Sequence, residues 1–233
     1  MENTKINKND FVEIEFNGLV ENKIFDTTDK EKAKELGIET EVKPLIVSVG
    51  NEMLLKAFDE ALEGKEINKK YSIHLTPDKA FGKRDKSLIK TIPIKIFHEK
   101  EINPKPGMSL QMDNYLVKIL SVSGGRVITD FNNPLAGKEV EYEFKIKRLI
   151  TDLKEKVDAL MNFLFKQKFN YKINENKIIF EDNKLKPLLE LFKDKFKKIL
   201  SLDIDFEKEE KKPEAKKEEK VKDDKSNTIK PTQ

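Results

Sequence analysis

At Thr151 the spacing of apolar residues changes from two to an alternation of three and four, and this divides the chain into parts with different local structure. Before it, Phe11-Val12-Glu13-Ile14-Glu15-Phe16 alternates apolar and charged residues, the pattern of a strand with one buried face. Asn17-Gly18 reads as a turn and Asn22-Lys23 as a second, so residues 11–25 suggest a β-meander. Asp29 is placed to cap a short helix over residues 30–36 that Gly37 would end. An apolar strand is expected over 44–49, and Gly50-Asn51 opens a helix carrying Met53, Leu54, Phe58, Ala61 and Leu62 on one side. Residues 70–75 form a further strand, running into the turn-rich Thr76–Gly82. After Thr151, Leu153, Val157, Leu160, Met161 and Leu164 predict an amphipathic helix, with Asp152 and Glu155 as its capping pair. A hairpin around Asn174-Glu175-Asn176 and a second amphipathic helix over 184–202 complete this part.

Two other stretches have a texture of their own. After Arg84, Pro93, Pro104, Pro106 and Gly107 punctuate short apolar runs through residue 127, about forty residues in all. A unit that small holds little core alone, which suggests an insertion braced at both ends by a host domain. From Glu207 to Lys225 nearly every residue is Lys, Glu or Asp, and the segment is expected to be disordered. Its charges cancel, and the chain is 38% charged but nets only +3, so neither nucleic acid nor a membrane surface is an expected partner. With no Cys and two His, thiol chemistry and Cys/His zinc clusters are excluded, and a reducing cytoplasm fits. The polar opening MENTKINKND and the lack of any apolar run near ~18 residues argue against a leader or a span, so the mature protein is expected to be the whole chain.

Four motifs then fall in a fixed order: Phe11–Gly18, Ile24-Phe25-Asp26-Thr27-Thr28, Val49–Leu62 and Pro77–Asp85. With the closing Phe131-Asn132-Asn133-Pro134-Leu135-Ala136-Gly137-Lys138, they resemble the signature of FKBP-type peptidyl-prolyl cis/trans isomerases, specifically SlyD-like members with an insert-in-flap domain. The resemblance covers about residues 8–150. Residues 151–206 resemble, more loosely, the extra domain of long archaeal FKBPs. It implies an α+β protein: an FKBP-like antiparallel sheet wrapped on a short helix (1–85 and 128–150), an inserted β-rich chaperone domain (86–127), a C-terminal helix-hairpin-helix domain (151–206) and the charged tail (207–233). Ala57 stands where the family usually has Gly, Asn133 where SlyD-like members have His, and Phe58 where many eukaryotic members have Trp. The His-rich tail of some bacterial relatives is absent, so no metal or other cofactor is carried over.

By this resemblance Asp26, Phe58, Phe81 and Tyr142 are catalytic, and Phe16, Phe25, Leu45, Leu54 and Leu55 bind substrate. Each apolar residue among them also reads as ordinary core, and Asp26 as a turn residue. Rotation about X-Pro makes and cuts no bond, so a dry apolar pocket with a few directed hydrogen bonds suffices, and the scarcity of acid–base residues is no obstacle. Leu54 and Leu55 are expected in the first helical turn, where backbone N–H groups lack acceptors. Ile94, Phe97, Met108, Leu110, Met112, Tyr115 and Leu116 are the candidate chaperone surface, with the insert's own core as the competing reading. Two functions remain in view: an isomerase and chaperone acting on unfolded or nascent polypeptides that contain X-Pro bonds, or a holdase or assembly adaptor with a vestigial pocket. Phe163 and Phe169 lie beside the main apolar stripe of their helix, so residues 151–206 are expected either to pair with a second copy or to dock on the first domain.

Overall fold

Strand alternation decides which side of the first sheet becomes interior. In the computed structural model, which describes residues 5–37, 45–113 and 115–207, β1 (Phe11–Val20) buries Val12, Ile14 and Phe16 and turns Glu13 and Glu15 outward. It pairs antiparallel with β2 (Lys23–Thr27), β3 (Leu45–Ser48) and β9 (Val140–Ile150), and β9 pairs in turn with β4 (Lys70–Leu75). Between β2 and β3 lies α1 (Lys30–Glu35), capped by Asp29 as expected. The inner face closes on α2 (Lys56–Leu62), whose Phe58 and Leu62 are buried among Val12, Ile14, Val47 and Ile146.

Two local expectations are corrected. Asn17-Gly18 is not a turn: β1 runs through both residues, and the reversal falls at Glu21-Asn22, whose φ values of 52° and 61° match a two-residue hairpin. Nor does the helix begin after Asn51. It starts at Lys56 with Leu55 as N-cap, so Leu54 and Leu55 precede the helix instead of forming its first turn.

The inserted unit is a separate four-stranded antiparallel sheet of β5 (Ile89–Pro93), β8 (Arg126–Asp130), β7 (Tyr115–Ser123) and β6 (Ser109–Met112), in that spatial order. A short α3 (Ile94–His98) supplies Phe97, which with Ile119 and Val127 makes the unit's small core. The expected boundary at residue 127 therefore falls inside β8, and residues 128–130 belong to the insert's sheet.

The C-terminal unit begins with α4 (Leu153–Phe165), whose Asp152 cap accepts from the Glu155 N–H at 2.8 Å. Its hairpin of β10 (Tyr171–Asn174) and β11 (Lys177–Phe180) is where the sequence puts it. The second helix is in fact two, α5 (Lys186–Glu190) and α6 (Lys193–Leu200), separated at Leu191-Phe192. Beyond them β12 (Asp203–Phe206), which helix-hairpin-helix does not include, pairs parallel with β11. Val157, Leu160, Phe180, Phe196 and Leu202 share one buried cluster with Phe11 and Ile150 of the first sheet. Phe163 packs against both this cluster and the first, and Phe169 meets Phe165 edge-on at 5.4 Å. The aromatic surplus on α4 is thus satisfied within the chain. Glu207, expected to open the tail, is tied in: its N–H donates to the Phe180 carbonyl at 2.9 Å and its carboxylate pairs with Lys172 at 2.6 Å. Residues 208–233 of the expected tail lie outside the described residues.

Candidate active site

A bulge in β2 builds one side of the site. Gly18 pairs with Asp26, but the next rung joins Leu19 to Ile24, which leaves Phe25 as the extra residue. In a regular strand Phe25 and Asp26 would point to opposite faces; a bulge re-aims a side chain and lets neighbours serve the same face. Phe25 meets Phe81 edge-on at 5.8 Å and Tyr142 at 6.0 Å. Gly18 also pairs with Tyr142, so Asp26, Gly18 and Tyr142 form one row across three strands.

Glycine in the middle of that row is a packing requirement. A Cβ on Gly18 would lie 2.7 Å from Phe25 Cζ and 3.0 Å from Tyr142 Cε1, so only a bare α-carbon lets both rings cross the strand. The turn expected at Gly18 is absent for this reason; an isolated glycine inside an alternating run marks a close approach.

Phe58 is the floor of the aromatic cluster. It is 1% exposed and stacks on Tyr142 at 4.6 Å with an interplanar angle of 21°. Phe16 meets both rings edge-on at 5.8 Å, and Phe144 approaches Phe58 at 5.2 Å. Leu45, Leu54, Leu55, Phe25 and Phe81 are partly buried against this cluster. The structure therefore gathers Phe16, Phe25, Phe58, Phe81, Tyr142, Leu45, Leu54 and Leu55 in one place, with Asp26 at the edge. Asp26 as a residue is exposed, yet partial burial of its carboxyl pushes its pKa up, against the Thr27 backbone N–H that lowers it. Burial, helped by the Asp26 charge, pushes the Tyr142 phenol up to about 12, so it is a neutral donor at physiological pH.

Asp59, one residue past the floor, was not singled out in the sequence. It is 2% exposed, and its carboxylate accepts from the Gly50 N–H at 2.9 Å and the Glu52 N–H at 2.7 Å. This pins the loop that carries Leu54 and Leu55. Among the described residues neither of those two N–H groups donates to a backbone acceptor, so both are free to meet a ligand carbonyl.

A groove of about 900 Å³ lies elsewhere on the same sheet, beside α1. Phe16, Tyr71 and Phe144 contribute to its lining, but so do Glu13, Glu15, Lys70, Glu143 and Lys145, and none of Phe25, Asp26, Phe58, Phe81 or Tyr142 does. On the insert, Tyr115 and Leu116 are exposed by 60% and 53%, with Met108, Ile96 and Ile128 also open. Phe97 is a correction: it is buried in the insert's core and presents no surface. Ile94, Leu110 and Met112 are half-buried against that core.

The structure thus brings five aromatic rings together with three leucines and sets the Asp26 carboxyl beside them. Comparison with known proteins agrees. Residues 2–95 match the family model described as FKBP-type peptidyl-prolyl cis-trans isomerase, and residues 90–135 match that of the FKBP26 IF domain. A short-type peptidyl-prolyl cis-trans isomerase of Methanocaldococcus jannaschii is 35% identical over 145 residues, 61% of this chain and 92% of that protein. The FKBP-type isomerase SlyD of Aeromonas hydrophila is 29% identical over 107 residues, 45% of this chain and 50% of its own length. That of Haemophilus influenzae is 25% identical over 107 residues, with 45% and 56% covered. The chain thus spans about half the length of these SlyD proteins. It belongs to the FKBP-type peptidyl-prolyl cis-trans isomerases, enzymes of class EC 5.2.1.8. Among the described residues no helix is long and apolar enough to cross a membrane.

Proposed function

We propose that the protein is a cytoplasmic folding catalyst that holds unfolded or nascent polypeptides on its insert and accelerates X-Pro isomerisation in the aromatic cleft. The supporting observation is the coexistence of two apolar features of different kind: a ring cluster around Phe58, and exposed apolar side chains on the insert, Tyr115, Leu116 and Ile128 among them. The proline ring sits over Phe58, between Phe25, Phe81 and Tyr142. The N–H groups of Leu54 and Leu55 take the carbonyl that follows or precedes it. Asp26 faces the twisting amide. As the bond rotates, resonance is lost and the amide becomes less dipolar, so a dry cleft favours the twisted form over the planar one. A rate gain of ~10⁵ needs about 7 kcal/mol of such preference.

Two assays test this: isomerisation of a short proline peptide, and refolding of a protein limited by proline isomerisation. Phe81→Ala should slow the first by about tenfold or more, since it removes a wall that contacts the substrate. Tyr115→Ser with Leu116→Ser should raise the KM for the refolding protein several-fold, because an apolar docking surface is lost. No acceleration of the peptide by the intact chain would leave a holdase or adaptor as the function. Self-association through residues 151–206 rests now on exposed Leu188 and Leu191 of the α5–α6 elbow. Light scattering at tens of micromolar tests it, and a monomer would retire it.

A further inference from the structure

The first sheet and the insert's sheet are joined by two chain segments. The first sheet ends at the Leu75–Val140 pair and the insert's begins at Ile89–Asp130, leaving connectors of residues 76–88 and 131–139. Two connectors of that length, unbonded to each other, would leave the insert on a loose tether. They are instead bonded at successive levels. Near the first sheet the Gly137 N–H donates to the Gly82 carbonyl at 2.8 Å, and near the insert the Phe131 N–H donates to the Leu88 carbonyl at 3.0 Å. Midway the link is made by a side chain. Asn132 Oδ1 accepts from the Asp85 N–H at 2.8 Å while Asn132 Nδ2 donates to the Asp85 carbonyl at 2.9 Å. A side-chain amide thus stands in for a rung of a β-ladder, satisfying the backbone donor and acceptor of one residue together.

Asn132 is itself held. Its Nδ2 donates to Asp130 Oδ1 at 2.6 Å and its backbone N–H reaches the same oxygen at 3.0 Å. The other Asp130 oxygen pairs with the Arg84 guanidinium, which crosses from the opposite connector. Asn132 and Asp130 are 7% and 8% exposed, so the network is shielded from competing water. The oxygen and both amide hydrogens of Asn132 are engaged, leaving no alternative orientation with equal bonding. None of these residues lies in the ring cluster or on the exposed apolar patch.

We propose that Asn132, Arg84 and Asp130 form a positioning clamp that fixes the insert's direction relative to the cleft, so that a polypeptide held on the insert is delivered to the isomerase site. The proposal rests on the insert acting as the client-holding surface. Capture depends on the insert's face and sets KM when chemistry is slow, whereas the fraction of captured chains whose proline reaches the cleft sets kcat. Loosening the clamp spreads the insert over many directions and dilutes the productive one.

The test uses the full chain with Asn132→Ala and, separately, Arg84→Ala. The Arg84 side chain is 48% exposed, so its loss does not threaten the fold. For a proline-limited refolding protein, kcat should fall about fivefold or more with KM unchanged within about twofold, while short-peptide activity stays at the parent value. Arg84→Lys, which keeps the charge opposite Asp130, should recover most of the lost kcat. Parallel loss on peptide and protein, a rise in KM with kcat intact, or no change in either would each overturn the clamp. The holding role fails separately, if Tyr115→Ser with Leu116→Ser leaves the KM for the refolding protein where it was.

Discussion

Gly18→Ala should cost the enzyme far more activity than stability. The added Cβ would come 2.7 Å and 2.9 Å from Phe25 Cζ and Cε1, and 3.0 Å from Tyr142 Cε1. Relaxed carbon contacts lie at ~3.5–4.0 Å, so the Phe25 ring tip has to retreat by about 1 Å. Phe25 is only partly buried, so it can swing outward, and overpacking of this kind costs ~1–3 kcal/mol. Replacing a mid-strand glycine returns about 0.5–1 kcal/mol of chain entropy, so the net loss of stability should be about 0–2.5 kcal/mol, toward the low end because Phe25 can swing out. The cleft has no such relief. Moving Phe25 opens its edge contacts with both Phe81 and Tyr142, and a 1 Å displacement of a positioning wall can lower a rate by up to about 10². We expect kcat/KM on a proline peptide to fall by at least about tenfold while the denaturation midpoint barely shifts. A double-mutant cycle sharpens the test: with Phe25→Ala already made, adding Gly18→Ala should cost much less than it does alone, because the two closest contacts are gone and only the 3.0 Å approach to Tyr142 Cε1 remains. Additive losses, or full activity in Gly18→Ala alone, would refute the reasoning.

Further outcomes follow from the same geometry. Asp26→Asn should lower peptide activity yet raise stability at pH 7. A carboxyl whose folded pKa is raised contributes stability below the ordinary carboxylate range and loses it as pH rises through the folded value, so the variant's advantage should vanish in acid melts. Asp59→Ala strands the Gly50 and Glu52 N–H groups and should cost about 2–4 kcal/mol in urea titration with an unchanged slope. Ending the chain after Glu207 should leave the thermal midpoint within error, because the charged run beyond it has too few apolar residues for a core. Ending it after Leu202 deletes β12 with buried Ile204 and should lower the midpoint by several degrees.

Much of the fold and site was legible because it is periodic or carried by motif. Phe11–Phe16, the Asp29 cap and the Asn174–Asn176 hairpin are local patterns, and each has the expected form. The rings of the expected pocket were picked out through the family resemblance, since spacing alone could not separate a pocket floor from a core residue at Phe58, which is 1% exposed and stacked on Tyr142. Illegible features depend on distant partners. Gly18 is required by two rings from other strands, and Asn132 by a peptide 47 residues earlier. Phe97 looked like surface because its partners Ile119 and Val127 lie far along the chain, beyond Pro104, Pro106 and Gly107. β12 was hidden because four residues in a charged context make a strand only when β11 offers an edge.

The position of β9 between β1 and β4 sets an order of events during synthesis. All four strands of the insert precede residue 131, while β9 spans 140–150 and brings Tyr142 to the cleft. The insert's pairings are short in sequence, whereas β1 must wait for a partner more than a hundred residues downstream. While residues up to about 131 are clear of the ribosome and 140–150 are not, the chain can complete the insert's sheet but has no Tyr142 for the cleft. On the division of labour proposed above, the newly made protein would meet other polypeptides before it could turn any of them over.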